Sequence, residues 1–424
     1  MSNKEVTSKM NDYELLDIAQ KFGTPLYVYD GDKIIKQYNT LKNTLPQDFE
    51  IFYSMKANPL LGICQLFNAL NSCIEVASIG ELYMALAAGF TQDKIIFTSP
   101  GKSFDELEYA IKEQIYSINV ESTAEAEIIN QLAAQRNVKV DISLRINPNF
   151  DAGGSSIKMS GVPTQFGIDQ AAIAEAFGTL SLLPNINIIG IHIYTGTQAL
   201  NAEKILYSME QIISLAIDLS YNYGFPLKFL DLGGGFGIPY FKGETALDMV
   251  SLKEGFCVLW NKYKERLTKT RVAVESGRFL LAESGVYLTR VLYTKECREN
   301  KYIVCDGGSN QHASSAFLGR HIRNNFPMHV LNKSGAEEEV NIVGSLCTPT
   351  DILGQKVILP HIVPGNIIAI EKSGAYGLTQ SPGNFLSHPL PAEVIQYNGE
   401  TYTLRERGTK EDFLKGQNKL SLLT

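Results

Sequence analysis

The chain has 424 residues, 44% hydrophobic and 20% charged, with a formal charge of −7 and no long basic cluster. This is the composition of a globular protein, and without concentrated Lys and Arg it excludes a nucleic-acid surface, which must neutralise phosphates. No apolar run approaches the ~18 residues of a membrane span, so the expected partner is a small molecule. Six cysteines (Cys64, Cys73, Cys257, Cys297, Cys305 and Cys347) stand far apart with no CxxC pair. Free thiols are expected, with no disulfide framework and no metal site. The opening MSNKEVTSKMNDYELL lacks a basic start followed by an apolar stretch, so a cytoplasmic protein is expected.

In chain order, GTPLYVYDG reads as a strand ahead of the first long helix. From about residue 50 to 280, short β-branched runs then alternate with amphipathic stretches. The runs are EIFYSMK, SCIEVAS, IIFTS, YSINVES, KVDISLRIN, INIIGIHIYTG, FLDLGGG and VAVESGR. Between them, segments such as STAEAEIINQLAAQRN space apolar residues at three and four, as helices packed on a sheet do. Eight such units close a (β/α)8 barrel of the TIM type. After about residue 285 the pattern becomes short strands and turns: KYIVCDGG, EEEVNIVGSL, KVILP, NIIAIEKSG, AEVIQYNG and ETYTLRERG. The expectation is an α/β protein: residues 36–285 form the barrel, and 286–424 an all-β, Greek-key-like domain that residues 1–35 join through their strand.

A barrel keeps its chemistry at the C-terminal ends of its strands, and the unusual residues gather there. Lys56 ends strand one, Glu75 and Ser78 lie at strand two, Arg145 ends strand five, and His192 and Tyr194 end strand six. Gly233, Gly234 and Gly235 follow strand seven; Glu275 and Arg278 end strand eight. Each has a plain alternative. Lys56 reads equally as a solvated cap, GGGFG as a tight turn, Glu275 as a partner of Arg278 and His192 as a core histidine. Cys347, in GSLCTPTD, reads as a buried small apolar residue. The glycines make no dinucleotide fingerprint, because Ile238 stands where a third spaced glycine would fall. Together, an amine, a phosphate cradle and a carboxylate at one rim point to pyridoxal phosphate. The amine bonds the cofactor, the glycines hold its phosphate, and the acid keeps the pyridine nitrogen protonated so that the ring accepts electrons.

The ordered motifs FYSMKAN, EVASIGEL, SLRINP, GIHIYTGTQ, DLGGGFGIPY, VESGRFL, GSLCTPTD and SGAYG resemble the fold-type III pyridoxal phosphate decarboxylases, the group of diaminopimelate, ornithine and arginine decarboxylases. The resemblance spans nearly the whole chain. It implies that Lys56 carries the cofactor, that Gly233, Gly234 and Gly235 with Arg278 and Tyr376 hold its phosphate, and that Glu275 faces the ring nitrogen. It also places Ser78, Arg145, Tyr194, Ser276 and Gly277 around the cofactor, and Arg278, Cys347, Thr348 and Tyr376 around the substrate. In the family, the residue matching Cys347 comes from the second subunit of a homodimer. An incoming amino acid would displace Lys56, lose its carboxylate with the breaking bond perpendicular to the ring, and take a proton from Lys56 or Cys347. Related racemases place an arginine at the ring nitrogen, so Glu275 argues against that activity. A non-catalytic binding homologue is disfavoured because Lys56, Glu275 and Cys347 are all present.

The chain departs from diaminopimelate decarboxylases where they read their substrate. Tyr194 replaces their ring-stacking histidine, Thr348 a glutamate that binds the distal ammonium group, and Ser314 and Ser315 the Arg-Pro of the distal-carboxylate clamp. The motifs KMSGVPTQFG, HIYTGTQ, LCTPTDILG, SGAYGLTQSP and HPLPAEV resemble the branch containing the glutamyl-carrier-protein decarboxylase of butirosin biosynthesis. A neutral, tethered distal group would need no charged reader. Arg320 and Arg323, in GRHIRNNFP, read either as contacts for an acidic carrier or its phosphate, or as surface ion pairs. The alternative substrate is free diaminopimelate or another basic amino acid.

Overall fold

The computed structural model describes residues 10–150, 157–158, 162–316 and 324–420; Arg320 and Arg323 lie outside them. The chain divides into two units. One comprises residues 35–239 and 243–280, and the other residues 1–34, 240–242 and 281–424.

In the first unit, strands Phe49–Ser54, Cys73–Val76, Ile95–Thr98, Ser117–Val120, Val140–Asn147, Ile186–His192, Phe229–Asp231 and Arg271–Ser276 pair in parallel in chain order. The eighth also pairs with the first, Glu275 opposite Phe52, which closes the barrel. These are the eight strands expected from the sequence. Four of them, Cys73–Val76, Ile95–Thr98, Ser117–Val120 and Phe229–Asp231, are buried at every position, hence their near-continuous apolar runs. Helices start promptly after several strands because a capping side chain takes an otherwise orphaned amide. Ser78 accepts from Glu81 N, Ser103 from Glu106 N, Ser122 from Glu125 N and Asn201 from Lys204 N.

Phe52, Cys73, Ile96, Ile189, Phe229 and Ala273 pack into an apolar cluster inside the barrel. Near it, Arg271 donates to Glu50 through Nε at 2.8 Å and Nη2 at 2.6 Å, and its guanidinium lies over the rings of Phe52 and Tyr116. Arg271 opens the eighth strand, so this ionic and aromatic cluster marks the N-terminal end of the barrel. The end left for chemistry is the opposite one.

The second unit is built on a sheet of nine strands. The N-terminal strand Leu26–Asp30, wholly buried, pairs antiparallel with Gly285–Cys297 and parallel with Ala392–Tyr397. The opening strand thus enters a sheet made from the last third of the chain. Leu26, Val28, Leu288, Ala369 and Val394 lie in its core, where Leu15, Ile18 and Ala19 of helix Asp12–Phe22 also pack.

That helix is further held by His329. Nε2 lies 3.0 Å from Asp12 Oδ1, and Nδ1 lies 3.2 Å from Glu371 Oε1. Hydrogen bonding to Glu371, then to Asp12, raises the imidazole pKa from its ordinary value, against a lowering by partial burial. A raised folded value means that the clamp contributes fully below about pH 6.5, the ordinary histidine value, and is lost as pH rises through the folded value. The melting-temperature deficit of His329→Gln is therefore expected to be largest in acid and to shrink at alkaline pH. Parallel melting curves across pH test this, and a deficit that grows with pH contradicts it.

All six cysteines are free. Cys347, whose plain reading was a buried apolar residue, is exposed, as are Cys257 and Cys297. Among the described residues, no helix is long and apolar enough to cross a membrane.

Candidate active site

Lys56 sits in the single turn Met55–Ala57 that leaves the first barrel strand. Its Nζ lies 2.9 and 2.8 Å from the two oxygens of Glu75, near the end of the second strand. Glu75 is 1% exposed and the lysine side chain 42%, so a buried carboxylate holds a partly exposed amine. Behind this pair, Glu81 accepts Ala77 N–H at 2.7 Å, and burial, then the charge of Glu75, pushes its carboxyl up to about 7. Ser78, expected near the cofactor, uses its hydroxyl to cap the helix carrying Glu81.

At the far side of the mouth, the seventh and eighth strands end in the glycine run and Glu275. Gly234 runs so close to its neighbour that a Cβ would lie 2.1 Å from the carbonyl oxygen of Glu275. Gly233 and Gly235 have φ of +64° and +98°, in the left-handed region that glycine tolerates. A Cβ on Gly277 would meet Ala57 Cβ at 2.7 Å, so the eighth strand's exit packs against the Lys56 turn. Gly234→Ala is therefore expected to cost about 3 kcal/mol, since backbone rather than a flexible side chain occupies the space. Chemical denaturation with a cofactor titration measures it; unchanged stability and affinity would remove Gly234 from the cradle.

Beneath the mouth lies a layer of buried charge. Arg145 Nη1 meets Glu121 Oε1 at 2.6 Å, with the guanidinium over the Phe166 ring, and Glu121 also accepts Gly167 N–H at 2.9 Å. Lys102, its side chain wholly buried, meets Glu125 at 2.6 Å and donates to the carbonyls of Ser99 and Asn119. Arg145 is thus held in place by an ion pair. His192 is fully buried. Desolvation, then the positive charges of Arg145, Lys56 and Lys102, hold its pKa well below the usual value, so the imidazole is neutral.

His192 Nε2 approaches Glu275 Oε1 at 3.5 Å. Ligand atoms of His192, Asp231 and Glu275 all lie within 4.8 Å of one another. Burial, then Glu75 and Asp231, raise the Glu275 carboxyl well above its ordinary pKa. Burial likewise pushes Asp231 up to about 7. Ser276 Oγ and both His192 ring nitrogens are buried and have no hydrogen-bond partner among the described residues. Unpaired buried polar atoms are costly. A site that keeps several at one rim is built to be completed by a ligand. An acid facing a basic ring nitrogen, a serine hydroxyl, a glycine cradle and an adjacent amine fit pyridoxal phosphate.

Tyr194 is half-buried, and a Cβ on Gly233 would meet its Cα at 3.0 Å, so it flanks the cradle. Arg278 begins the short helix after the eighth strand. The remaining expected residues belong to the β unit. Tyr376 is half-buried with φ of +55°, and its carbonyl accepts from Ser314 Oγ at 2.9 Å. The loop of Cys347 and Thr348 is fixed from below by Asp351, 3% exposed, whose carboxylate accepts from Ser309 N at 2.6 Å and Leu346 N at 2.8 Å. Sequence reasoning missed Asp231, although an acidic residue inside the apolar run FLDL was a signal. It also missed Glu81, whose spacing from Ser78 imitates a capping pair.

Fold and site together define a barrel enzyme that uses pyridoxal 5′-phosphate. Residues 31–282 match the family model described as pyridoxal-dependent decarboxylase, pyridoxal binding domain, and the chain belongs to that family. It is 39% identical, over 96% of its length and 97% of the relative's, to the L-glutamyl-[BtrI acyl-carrier protein] decarboxylase of Niallia circulans. It is 30% identical to the diaminopimelate decarboxylase of Aquifex aeolicus, covering 93% of this chain and 91% of the relative. The crystal structure of diaminopimelate decarboxylase from M. jannaschii in complex with L-lysine superposes with a TM-score of 0.89 at 27% identity, covering 97% and 95% of the two chains. The chain is therefore a pyridoxal-phosphate-dependent amino acid decarboxylase.

Proposed function

We propose that this decarboxylase removes the α-carboxylate of an amino acid whose distal carboxyl is tethered to a carrier protein. The observation that carries this reading is that Ser314, Ser315 and Thr348, all uncharged, stand where diaminopimelate decarboxylases place the readers of the distal group. Ser314 and Ser315, at the positions of the Arg-Pro clamp, spend their hydroxyls on the carbonyls of Tyr376 and His312, at 2.9 and 3.0 Å. Thr348 Oγ1 lies 3.0 Å from Thr350 Oγ1. A free distal carboxylate or ammonium would find no counter-charge in these three side chains. The 39% identity to a carrier-protein decarboxylase supports the same reading.

In this reading, Lys56 is the amine that bonds the cofactor, Gly233, Gly234, Gly235, Arg278 and Tyr376 hold its phosphate end, Ser276 also lies against it, and Glu275 meets its ring nitrogen. Bound pyridoxal phosphate supplies an electron sink for the bond broken at Cα. Glu75 keeps Lys56 oriented in the mouth whenever its amine is free, and buried, neutral His192 keeps competing positive charge away from Glu275. Cys347 is the proposed proton donor at Cα, from the second subunit of a homodimer, with Thr348 and Tyr376 assisting substrate binding. Cys347→Ala is expected to keep the cofactor and lose most decarboxylation; unchanged kinetics remove the cysteine from the mechanism. Mixing inactive Lys56→Ala and Cys347→Ala proteins is expected to restore part of the activity, and no recovery after verified subunit exchange argues against a shared site.

The substrate is tested by comparing a glutamyl-loaded acyl carrier with free diaminopimelate, lysine, ornithine and glutamate. Turnover of the carrier-bound substrate alone is expected. Efficient turnover of free diaminopimelate overturns the tethered reading in favour of the second one, which the match to diaminopimelate decarboxylases over more than 90% of both chains supports.

A further inference from the structure

Asp231 ends the seventh barrel strand with no solvent exposure, and its two oxygens face different duties. Oδ1 accepts Gly233 N–H at 2.9 Å, while Oδ2 receives no N–H or hydroxyl hydrogen bond among the described residues. Gly233 O in turn accepts Glu275 N–H at 2.8 Å, so Asp231, the first cradle glycine and Glu275 form one connected unit across two strand ends. Glu275 Oε1 likewise receives no N–H or hydroxyl hydrogen bond among the described residues, and the two carboxyls lie within 4.8 Å of each other and are hydrogen-bonded together. Two buried carboxylates this close cannot both be ionised without large repulsion, so one proton between them serves both oxygens at once.

We infer that Asp231 is a positioning residue: it holds one proton in common with Glu275 and, through Gly233, fixes the first turn of the cradle. The inference rests on Glu275 being the acid that meets the cofactor's ring nitrogen. The surrounding charges make the pair hold its proton. Glu75 on the second strand raises both carboxyls, while Lys56 favours ionisation of both and Arg145 on the fifth strand that of Glu275; His192 on the sixth is neutral. In the protein without cofactor, the hydrogen bond between the two carboxyls favours the ionised form of Asp231, which leaves the shared proton on the Glu275 side. A cation beside Glu275 reverses that order. The proton then crosses from the Glu275 carboxyl to Asp231 Oδ2, leaving Glu275 anionic and the pair's total charge unchanged.

The test uses cofactor-free protein first. A folded pair with raised pKa values binds more protons than the unfolded chain above about pH 4, so stability falls as pH rises through neutrality. Asp231→Asn keeps the acceptor for Gly233 but removes one titrating carboxyl. Burial keeps Glu275 protonated in Asp231→Asn as well, so the two unfolding constants are expected to rise in parallel near pH 5 to 7 and to part at alkaline pH, where the Asp231 charge makes the wild type keep its proton, and its slope of up to about tenfold per pH unit, to higher pH. Profiles that coincide throughout overturn the shared proton. Asp231→Asn is also expected to bind pyridoxal phosphate within about threefold of wild type and to lose the alkaline limb of its pH–affinity curve; an unchanged limb overturns the inference. Asp231→Ala, which loses the Gly233 anchor, is expected to bind it at least about tenfold more weakly. Should either variant fail to fold, infrared difference spectra of Glu81→Gln, which removes the other carboxyl raised to about 7, must show a protonated-carboxyl carbonyl band disappearing between neutral and alkaline pH; its absence is equally decisive. A protein that shows the slope difference but binds no cofactor would instead refute the cofactor reading of the site.

Discussion

Lys56→Ala is expected to abolish decarboxylation, by at least about a thousandfold, and to remove the absorbance of covalently held cofactor. The Glu75 carboxylate, 1% exposed, survives ionised only with its charge answered, and here both of its oxygens are answered by one ammonium at 2.8 and 2.9 Å. The lysine is therefore held in the mouth by the protein itself, beside the close-packed exit of the eighth strand at Gly277. Removing it deletes the reactive amine and strands Glu75, which adds a destabilisation of about 2 kcal/mol. The double variant Lys56→Ala/Glu75→Gln separates the two effects. Stability is expected to return while activity stays absent, and the absorbance band stays missing. A Lys56→Ala protein that still decarboxylates at a tenth of the wild-type rate would end the assignment of Lys56.

Glu275→Gln is expected to lower kcat by about 10²- to 10³-fold, the usual worth of one well-placed electrostatic group. Glutamine fills the same space and preserves the 2.8 Å bond from the residue-275 amide to Gly233 O, so the cradle stays intact. What is lost is the anion proposed to keep the ring nitrogen protonated. Cofactor affinity is expected to fall by less than kcat, because phosphate contacts are untouched. Spectroscopic titration of cofactor beside steady-state kinetics reads the split. A variant with wild-type kcat and reduced affinity alone would make Glu275 a binding residue without electronic influence.

Most of the architecture was legible because each barrel unit carries its own signal. Runs such as FLDL and VAVES are apolar on both faces, and capping serines at 78, 103 and 122 mark where helices begin. The insertion of Leu26–Asp30 between Gly285–Cys297 and Ala392–Tyr397 could also be expected, because a strand placed before the barrel needs partners elsewhere. Helix Asp12–Phe22 was not singled out, since its stabilising partners His329 and Asn332 lie more than 300 residues away.

Within the candidate site, local motifs identified Lys56, Gly233, Gly234, Gly235 and Glu275 as residues at one rim. The contacts these side chains make were not legible there: the Arg145 guanidinium pairs with Glu121 and stacks on Phe166, and the Ser78 hydroxyl caps the helix that presents Glu81.

By itself the sequence determined the fold class and the cofactor, because periodicity and short motifs are local properties that survive without three-dimensional information. Tertiary structure alone decided which charges meet. The Lys56–Glu75 pair and the Asp231–Glu275 contact join residues on different strands, and the protonation of each group depends on burial and on neighbours brought close by barrel closure. Desolvation and Coulomb forces act over a few ångströms of space, whereas the chain records only distance along itself.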